Sequence, residues 1–168
     1  LSILSLDELQ ALRTLWRREA RQLVLTNGVF DLLHRGHVEY LQRACALGDV
    51  LVVGINSDAS TRAIKGPQRP LMPEADRAYL LAALRCVAYV TIFAEPTAEA
   101  LVAALQPEIY VKGGDYATAG TTHPDETRLP EARVVQRYGG QVHLLPYRAG
   151  TSTTQLITRI AEQFRRET

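Results

Sequence analysis

The 168 residues suffice for one domain of ordinary size, which buries roughly 70% of the surface its unfolded chain exposes, enough for a core without staples. A hydrophobic share of 46% beside 22% charged residues is ordinary for a globular protein, and a formal net charge of +1 excludes a strong global pull on nucleic acid or anionic membrane. No apolar run approaches the ~20 residues of a bilayer span and no signal-peptide pattern opens the chain, so a cytoplasmic protein is expected. Cys45 and Cys86 lie in apolar helical contexts without CxxC spacing and read as small buried hydrophobes in a reducing compartment. The chain opens on Leu1 rather than Met, which suits a trimmed chain or one excised from something longer.

In chain order, Ser5-Leu-Asp-Glu8 is a capping box that opens a helix carrying Leu9, Leu12 and Trp16 to about Ala20. Gln22–Thr26 is a short apolar run and so a buried strand. The next helix starts near Arg35 or Gly36, sets Val38, Leu41, Ala44 and Cys45 on one face, and stops at Gly48. Asp49–Ile55 is a second strand. The stretch Asn56–Met72 reads as a loop of unusual length, and Pro73 suits the first position of a helix to about Arg85. There follow strand Ala88–Phe93, helix Thr97–Leu105, strand Glu108–Val111, helix Pro130–Tyr138, strand Gln141–Leu145 and helix Ser152–Arg166. Strands that are apolar throughout and alternate with helices predict a single α/β domain, doubly wound and Rossmann-like. Five parallel strands would carry helices on both faces, with residues 1–21 as an N-terminal helix and 22–168 as the core. A closed eight-fold barrel would need more strands and about 250 residues.

In such a sheet ligands gather at the carboxyl ends of the strands. Four segments are expected there: Thr26–His37, Asn56–Arg69, Lys112–Asp115 and Arg148–Thr154. Gly28 admits a tight turn or a close ligand, and the helix after it aims unpaired amides and partial positive charge toward that turn, which suits phosphate. His34 and His37, three apart with Gly36 between them, can face the same way and donate to phosphate oxygens whose charge grows during transfer. A histidine that merely caps the helix or packs on Tyr40 is the plainer reading of such a pair. A zinc site would need further ligands, and His123, His143, Cys45 and Cys86 show no motif spacing.

Of the 19 basic side chains only Lys65 and Lys112 are lysines, and each precedes a glycine. Lys65, with Arg62 and Arg69, can close on an anion, although a solvated basic loop would look the same. Ser152 with Gln155 makes a capping box that needs no ligand, yet Thr151, Thr153 and Thr154 exceed what capping requires.

Together, "TNGVFD" followed by "HRGH" (His34–His37) and the late "STT" of Ser152–Thr154 resemble the cytidylyltransferase-like nucleotidyltransferases. With "NSDASTRAIKG", "RP" and "VKGGDY", residues 22–160 are most similar to one branch, the adenylyltransferase domains of ADP-heptose synthases. That branch joins ATP to a heptose 1-phosphate and releases pyrophosphate, on the way to the lipopolysaccharide inner core.

The resemblance implies that Thr26, Asn27, Gly28, Val29, Phe30 and Gly36 hold nucleotide, and that His34 and His37 contact its phosphates and stabilise the transition state. It implies that Lys65 contacts phosphate and acts in catalysis, and that Arg148, Gly150, Thr151, Ser152, Thr153 and Thr154 hold base and triphosphate. Asp31, Asn56, Asp58, Lys112, Gly113, Gly114 and Asp115 would face the sugar phosphate. Mg²⁺ would ride on the ATP phosphates with no dedicated protein metal site. A sugar kinase, fused or separate, and a homodimer are the expected partners, with neither nucleic acid nor membrane among them.

Glycerol-phosphate relatives read Gly-Asp-Asp where this chain has Gly113-Gly114-Asp115, and the stretch Ala117–Arg128 is longer than the branch usually carries. The alternatives are a cytidylyltransferase for a polyol or amino-alcohol phosphate and a nucleotide-binding module without turnover. An aminoacyl-tRNA synthetase fragment is disfavoured by the short, near-neutral chain and the lack of a Lys-Met-Ser-Lys-Ser-like segment.

Overall fold

The computed structural model describes residues 2–113, 124–146 and 152–165. Among them five strands form one parallel sheet: β1 (Leu23–Gly28), β2 (Val50–Asn56), β3 (Tyr89–Phe93), β4 (Ile109–Gly113) and β5 (Gln141–Leu145), in the order β3-β2-β1-β4-β5. Thr26 on the central strand lies opposite Val53 of β2 and Val111 of β4. The chain leaves β1 toward β2 and β3, then crosses back to place β4 on the other side of β1. The gap between the carboxyl ends of β1 and β4 is therefore the switch point, where connections diverge and leave a crevice.

The helices are α1 (Leu6–Arg18), α2 (Arg35–Cys45), α3 (Asp58–Lys65), α4 (Glu74–Ala82), α5 (Glu99–Leu105), α6 (Glu131–Arg137) and α7 (Thr153–Arg165). Alternation along β1 divides the core. Leu23 and Leu25 join Leu9, Trp16, Leu101, Leu105 and Val135 in one apolar layer, which brings α1, α5 and α6 to that face. Val24 points the other way into a layer with Tyr40, Leu41, Ala78 and Leu81, so α2 and α4 cover the opposite face. The doubly wound reading of the sequence holds.

Local signals set most of the boundaries. Ser5 Oγ accepts the Glu8 amide at 3.3 Å while Glu8 Oε2 accepts the Ser5 amide at 2.8 Å, the expected reciprocal cap of α1. Before it, Ser2 and Leu4 exchange backbone hydrogen bonds with Val90 at 2.8 and 2.9 Å and cover part of the β3 edge. Pro73 falls at the N-cap of α4, one position earlier than expected. The expected long loop Asn56–Met72 is a correction, because α3 occupies its first half. Ser57 Oγ caps that helix by accepting the Ser60 amide at 3.1 Å, Asp58 adds negative charge to its first turn, and Gly66 ends it at a φ of 97°. No helix among the described residues is long and apolar enough to cross a membrane.

Candidate active site

A cleft of about 550 Å³ opens at the switch point. Asn27–Asp31 and His37 line it from β1 and the start of α2, Asn56, Lys65 and Arg69 from the β2–α4 region, Lys112 from β4, and Thr153 and Thr154 from the start of α7. Each of the four segments expected on this rim places described residues in the wall, the third through Lys112 alone and the fourth through Thr153 and Thr154. Gly114, Asp115, Arg148, Gly150 and Thr151 lie outside the described residues.

The histidine pair has a definite geometry. His34 is the N-cap residue of α2, in extended backbone, and its side chain makes no capping hydrogen bond, so the simple capping role does not describe it. His37, one turn on, stacks against it with ring centroids 3.8 Å apart and planes 20° from parallel. Phe30 meets the other side of His37 edge-on at 5.2 Å. The Nδ1 atoms of both histidines are buried without a hydrogen-bond partner. Burial lowers the His34 pKa. Burial, joined by the neighbouring His34, pushes that of His37 down to about 4, with the Leu32 backbone opposing. In the ligand-free protein His37 is therefore neutral at physiological pH. Such a ring can donate one N–H to an incoming oxyanion and gains a proton more readily once that anion arrives.

The loop between β1 and α2 is shaped by aromatic packing rather than by a glycine turn. Gly28 ends β1, and a Cβ on it would stand 3.1 Å from the Phe30 ring, so the ring occupies the space a side chain would need. The left-handed residue is Phe30 itself, at a φ of 49°. Gly28 therefore ends a strand instead of making the tight turn, and of its two expected roles the close approach to a ligand is the one its place in the cleft wall fits. Gly36 is buried in the first turn of α2. Thr26 lies beneath the cleft and does not line it; its Oγ1 is 2.8 Å from Tyr40 Oη, which also donates to the Val111 carbonyl. Asn27 is held by Tyr110 Oη at 2.5 Å on its side-chain oxygen and by Lys112 Nζ at 3.1 Å on its carbonyl.

Asp31 is 3% exposed and heavily engaged: Oδ1 accepts the Leu71 and Met72 amides at 2.8 and 2.9 Å, and Oδ2 is 2.7 Å from Arg69. Asn56 lines the cleft but donates to Ser60 Oγ at 3.0 Å. Asp58, at the start of α3, is outside the lining and pairs with Arg77 at 2.7 Å. Lys65 is exposed in the last turn of α3 and faces the cleft mouth. Gly113 closes β4 without lining the cleft. Ser152 Oγ accepts the Gln155 amide at 3.1 Å, as the capping reading required, which leaves Thr153 and Thr154 to face the cleft.

One wall was missed by reasoning from the sequence. Pro96 and Thr97 before α5, and Arg128–Glu131 before and into α6, also line the cleft. Glu131 Oε1 accepts the Ala98 amide at 2.8 Å and ties these two segments together. Crossover helices of a parallel sheet start at the carboxyl rim, so the approaches to α5 and α6 belonged on that rim with the rest. Among the described residues four cationic side chains, Lys65, Arg69, Lys112 and Arg128, thus line the cleft with two carboxylates, Asp31 and Glu131, and this balance suits a polyanionic ligand.

Residues 25–159 match the family model described as cytidylyltransferase-like. The chain is 50% identical over 148 residues to the bifunctional protein HldE of Trichlorobacter lovleyi, covering 88% of this chain and 28% of that protein. It is 47% identical over 165 residues to the HldE of Geobacter metallireducens, covering 98% of this chain and 32% of the relative. The Helicobacter pylori protein of that name shares 45% over 158 residues, covering 94% of this chain and 31% of the relative. The chain thus spans about three-tenths of the length of the curated relatives it matches. Among solved structures, the lipopolysaccharide core biosynthesis protein from Thermoplasma volcanium superposes with a TM-score of 0.59 at 29% identity, over 76% of this chain and 97% of that one. The sheet order, the stacked histidines of His-x-Gly-His and the extent of these matches agree: the chain belongs to the cytidylyltransferase-like family.

Proposed function

We propose that the protein is a sugar-phosphate adenylyltransferase that transfers AMP from ATP to a heptose 1-phosphate, giving ADP-heptose and pyrophosphate. The observation that carries this reading is the meeting of His37, with His34 stacked on it, Lys65, Lys112 and Thr153–Thr154 around a single cleft. The similarity to HldE proteins and to a lipopolysaccharide core biosynthesis protein supports the choice of substrate.

In this reading a phosphate oxygen of the sugar 1-phosphate attacks the α-phosphorus of ATP in line. The new P–O bond forms as the bond to the bridging α,β-oxygen breaks, and pyrophosphate leaves with that electron pair. A phosphate monoester is nucleophilic at neutral pH, so no general base is needed, and catalysis consists of positioning and charge stabilisation. Val29, Phe30 and the first turn of α2 hold the nucleotide, with Asn27 and Gly28 shaping the loop. His34 and His37 donate to the phosphates as charge builds, Lys65 closes on phosphate from the cleft mouth, and Thr153 and Thr154 contact the triphosphate. Arg148, Gly150 and Thr151 complete the nucleotide contacts, and Lys112 with Gly114 and Asp115 faces the sugar phosphate.

Mg²⁺ enters with ATP as its counter-ion. Among the described residues the two carboxylates lining the cleft are occupied by Arg69 with two amides and by the Ala98 amide, so phosphate oxygens and water are its fitting ligands. A kinase, fused or separate, would supply the sugar 1-phosphate, and a homodimer is the proposed assembly. The deciding experiment is pyrophosphate release from a panel of sugar 1-phosphates with ATP or CTP. Turnover with ATP and a heptose 1-phosphate is expected. Preference for CTP with a polyol phosphate would replace this reading with a cytidylyltransferase, and tight ATP binding without release would leave a binding module.

A further inference from the structure

Arg77 is 1% exposed, on the face of α4 that also buries Ala78 and Leu81. A buried guanidinium is costly unless it is well hydrogen-bonded, and each of the three nitrogens donates here. Nε donates to the Met72 carbonyl at 3.0 Å, Nη1 to the Val29 carbonyl at 2.6 Å, and Nη2 to the Asn56 carbonyl at 2.9 Å and Asp58 Oδ1 at 2.7 Å. The four acceptors belong to four separate pieces of the site: the nucleotide-facing loop after β1, the end of β2, the start of the helix that carries Lys65, and the segment leading into α4. Asp31 adds a second tie between two of these pieces, the loop after β1 and the segment leading into α4, through the Leu71 and Met72 amides and Arg69.

We infer that Arg77 is a positioning residue for the reaction proposed above: it fixes the nucleotide loop and α3 relative to each other, so that the histidine pair and Lys65 address the same phosphates. On this inference Asp58 serves the site through Arg77 rather than by touching substrate.

A second arginine supplies the control. Arg13 is 3% exposed and donates to the Leu105 and Gln106 carbonyls at 2.9 Å each and to Glu108 at 2.5 Å, on the face of the sheet covered by α1. It is comparably buried and likewise donates to backbone carbonyls and one carboxylate, although its Nη1 has no partner, and none of its partners lines the cleft.

The test compares Arg77→Lys with Arg13→Lys, reading Tm, ATP affinity by calorimetry, and kcat and KM well below either Tm. Both substitutions should lower Tm. Arg77→Lys should cut kcat/KM about 10- to 100-fold, the scale of a misplacement near 1 Å, while Arg13→Lys stays within about twofold of wild type. Equal losses in the two variants, or an Arg77→Lys enzyme with wild-type kcat and KM, would overturn the inference. Should Arg77→Lys not fold, Asp58→Ala releases only the α3 arm at a side chain that is 27% exposed. It should lower kcat/KM several-fold, and Asp58→Asn, which keeps an acceptor for Arg77, should restore most of it. An active Asp58→Ala enzyme, or an Asp58→Asn enzyme as poor as Asp58→Ala, would count against the strut. If wild-type protein released no pyrophosphate, the proposed reaction would fail on its own. ATP affinity would still decide between the two arginines, with Arg77→Lys expected to bind more weakly than Arg13→Lys and equal affinities overturning the strut.

Discussion

His34 and His37 illustrate how a residue's chemistry is set by where its ring is held. Stacked at 3.8 Å, they cannot both carry a proton cheaply without an anion nearby. A phosphate bound at the cleft would supply that anion. Replacing either with alanine should therefore reduce turnover by roughly 10²–10³ without unfolding the protein, as loss of one charge-stabilising donor does elsewhere. A variant that keeps near-full kcat, measured by pyrophosphate release, would remove that histidine from the mechanism.

The depressed His37 pKa also carries a stability signature. The unfolded chain takes up this proton near 6.5 and the folded one only near 4, so between those values the unfolded state binds more protons. The contribution is full above pH 6.5 and is lost progressively as pH falls toward 4, at a slope of at most about 1.4 kcal/mol per pH unit. The His34 shift has the same sign. An NMR titration of the His37 ring in the ligand-free protein should show a midpoint far below 6.5, and a midpoint at that value would contradict the burial that causes it.

At the scale of elements, α3 matters most. It turns part of an expected loop into a short lever capped by Ser57 and ended by Gly66, with Lys65 in its last turn. Arg62 lies one turn earlier on the same helix, is also exposed, and does not line the cleft. Lys65→Ala should cost kcat/KM at least tenfold, about 1.4 kcal/mol of transition-state stabilisation, while Arg62→Ala should change it little. Equal losses would mean that α3 acts through general positive charge rather than through a placed cation. Gly54 shows a different constraint on elements: a Cβ there would stand 2.5 Å from Leu101 Cδ2, so a side chain on β2 at this point would require the α5 leucine to move.

For the whole molecule, the cleft draws on pieces from Asn27 to Thr154, so a ligand bound there would tie distant parts of the chain together. ATP at a hundred times its Kd should stabilise the fold by about 2.7 kcal/mol, and a domain of this size should gain roughly 5–10 °C in Tm. Thermal unfolding with and without MgATP measures this directly. An unchanged Tm at millimolar MgATP would argue against a preformed nucleotide site.

The sequence by itself determined what depends on short-range pattern. The α1 capping box, the apolar strands and the alternation of helix and strand fixed a parallel doubly wound sheet, and hence the rim on which the four marked segments had to meet. It also marked His34, His37 and Lys65, because their spacing and rarity are visible in one dimension. Tertiary structure alone decided how the polar groups are spent. Whether Asp31 faces a ligand alone or also holds two amides and Arg69, and whether Arg77 is a surface charge or a four-way brace, depend on partners tens of residues away. The physical reason is one of range: hydrophobic period and capping act within a turn or a strand, whereas a buried charge is settled by acceptors that only the folded chain brings within 3 Å.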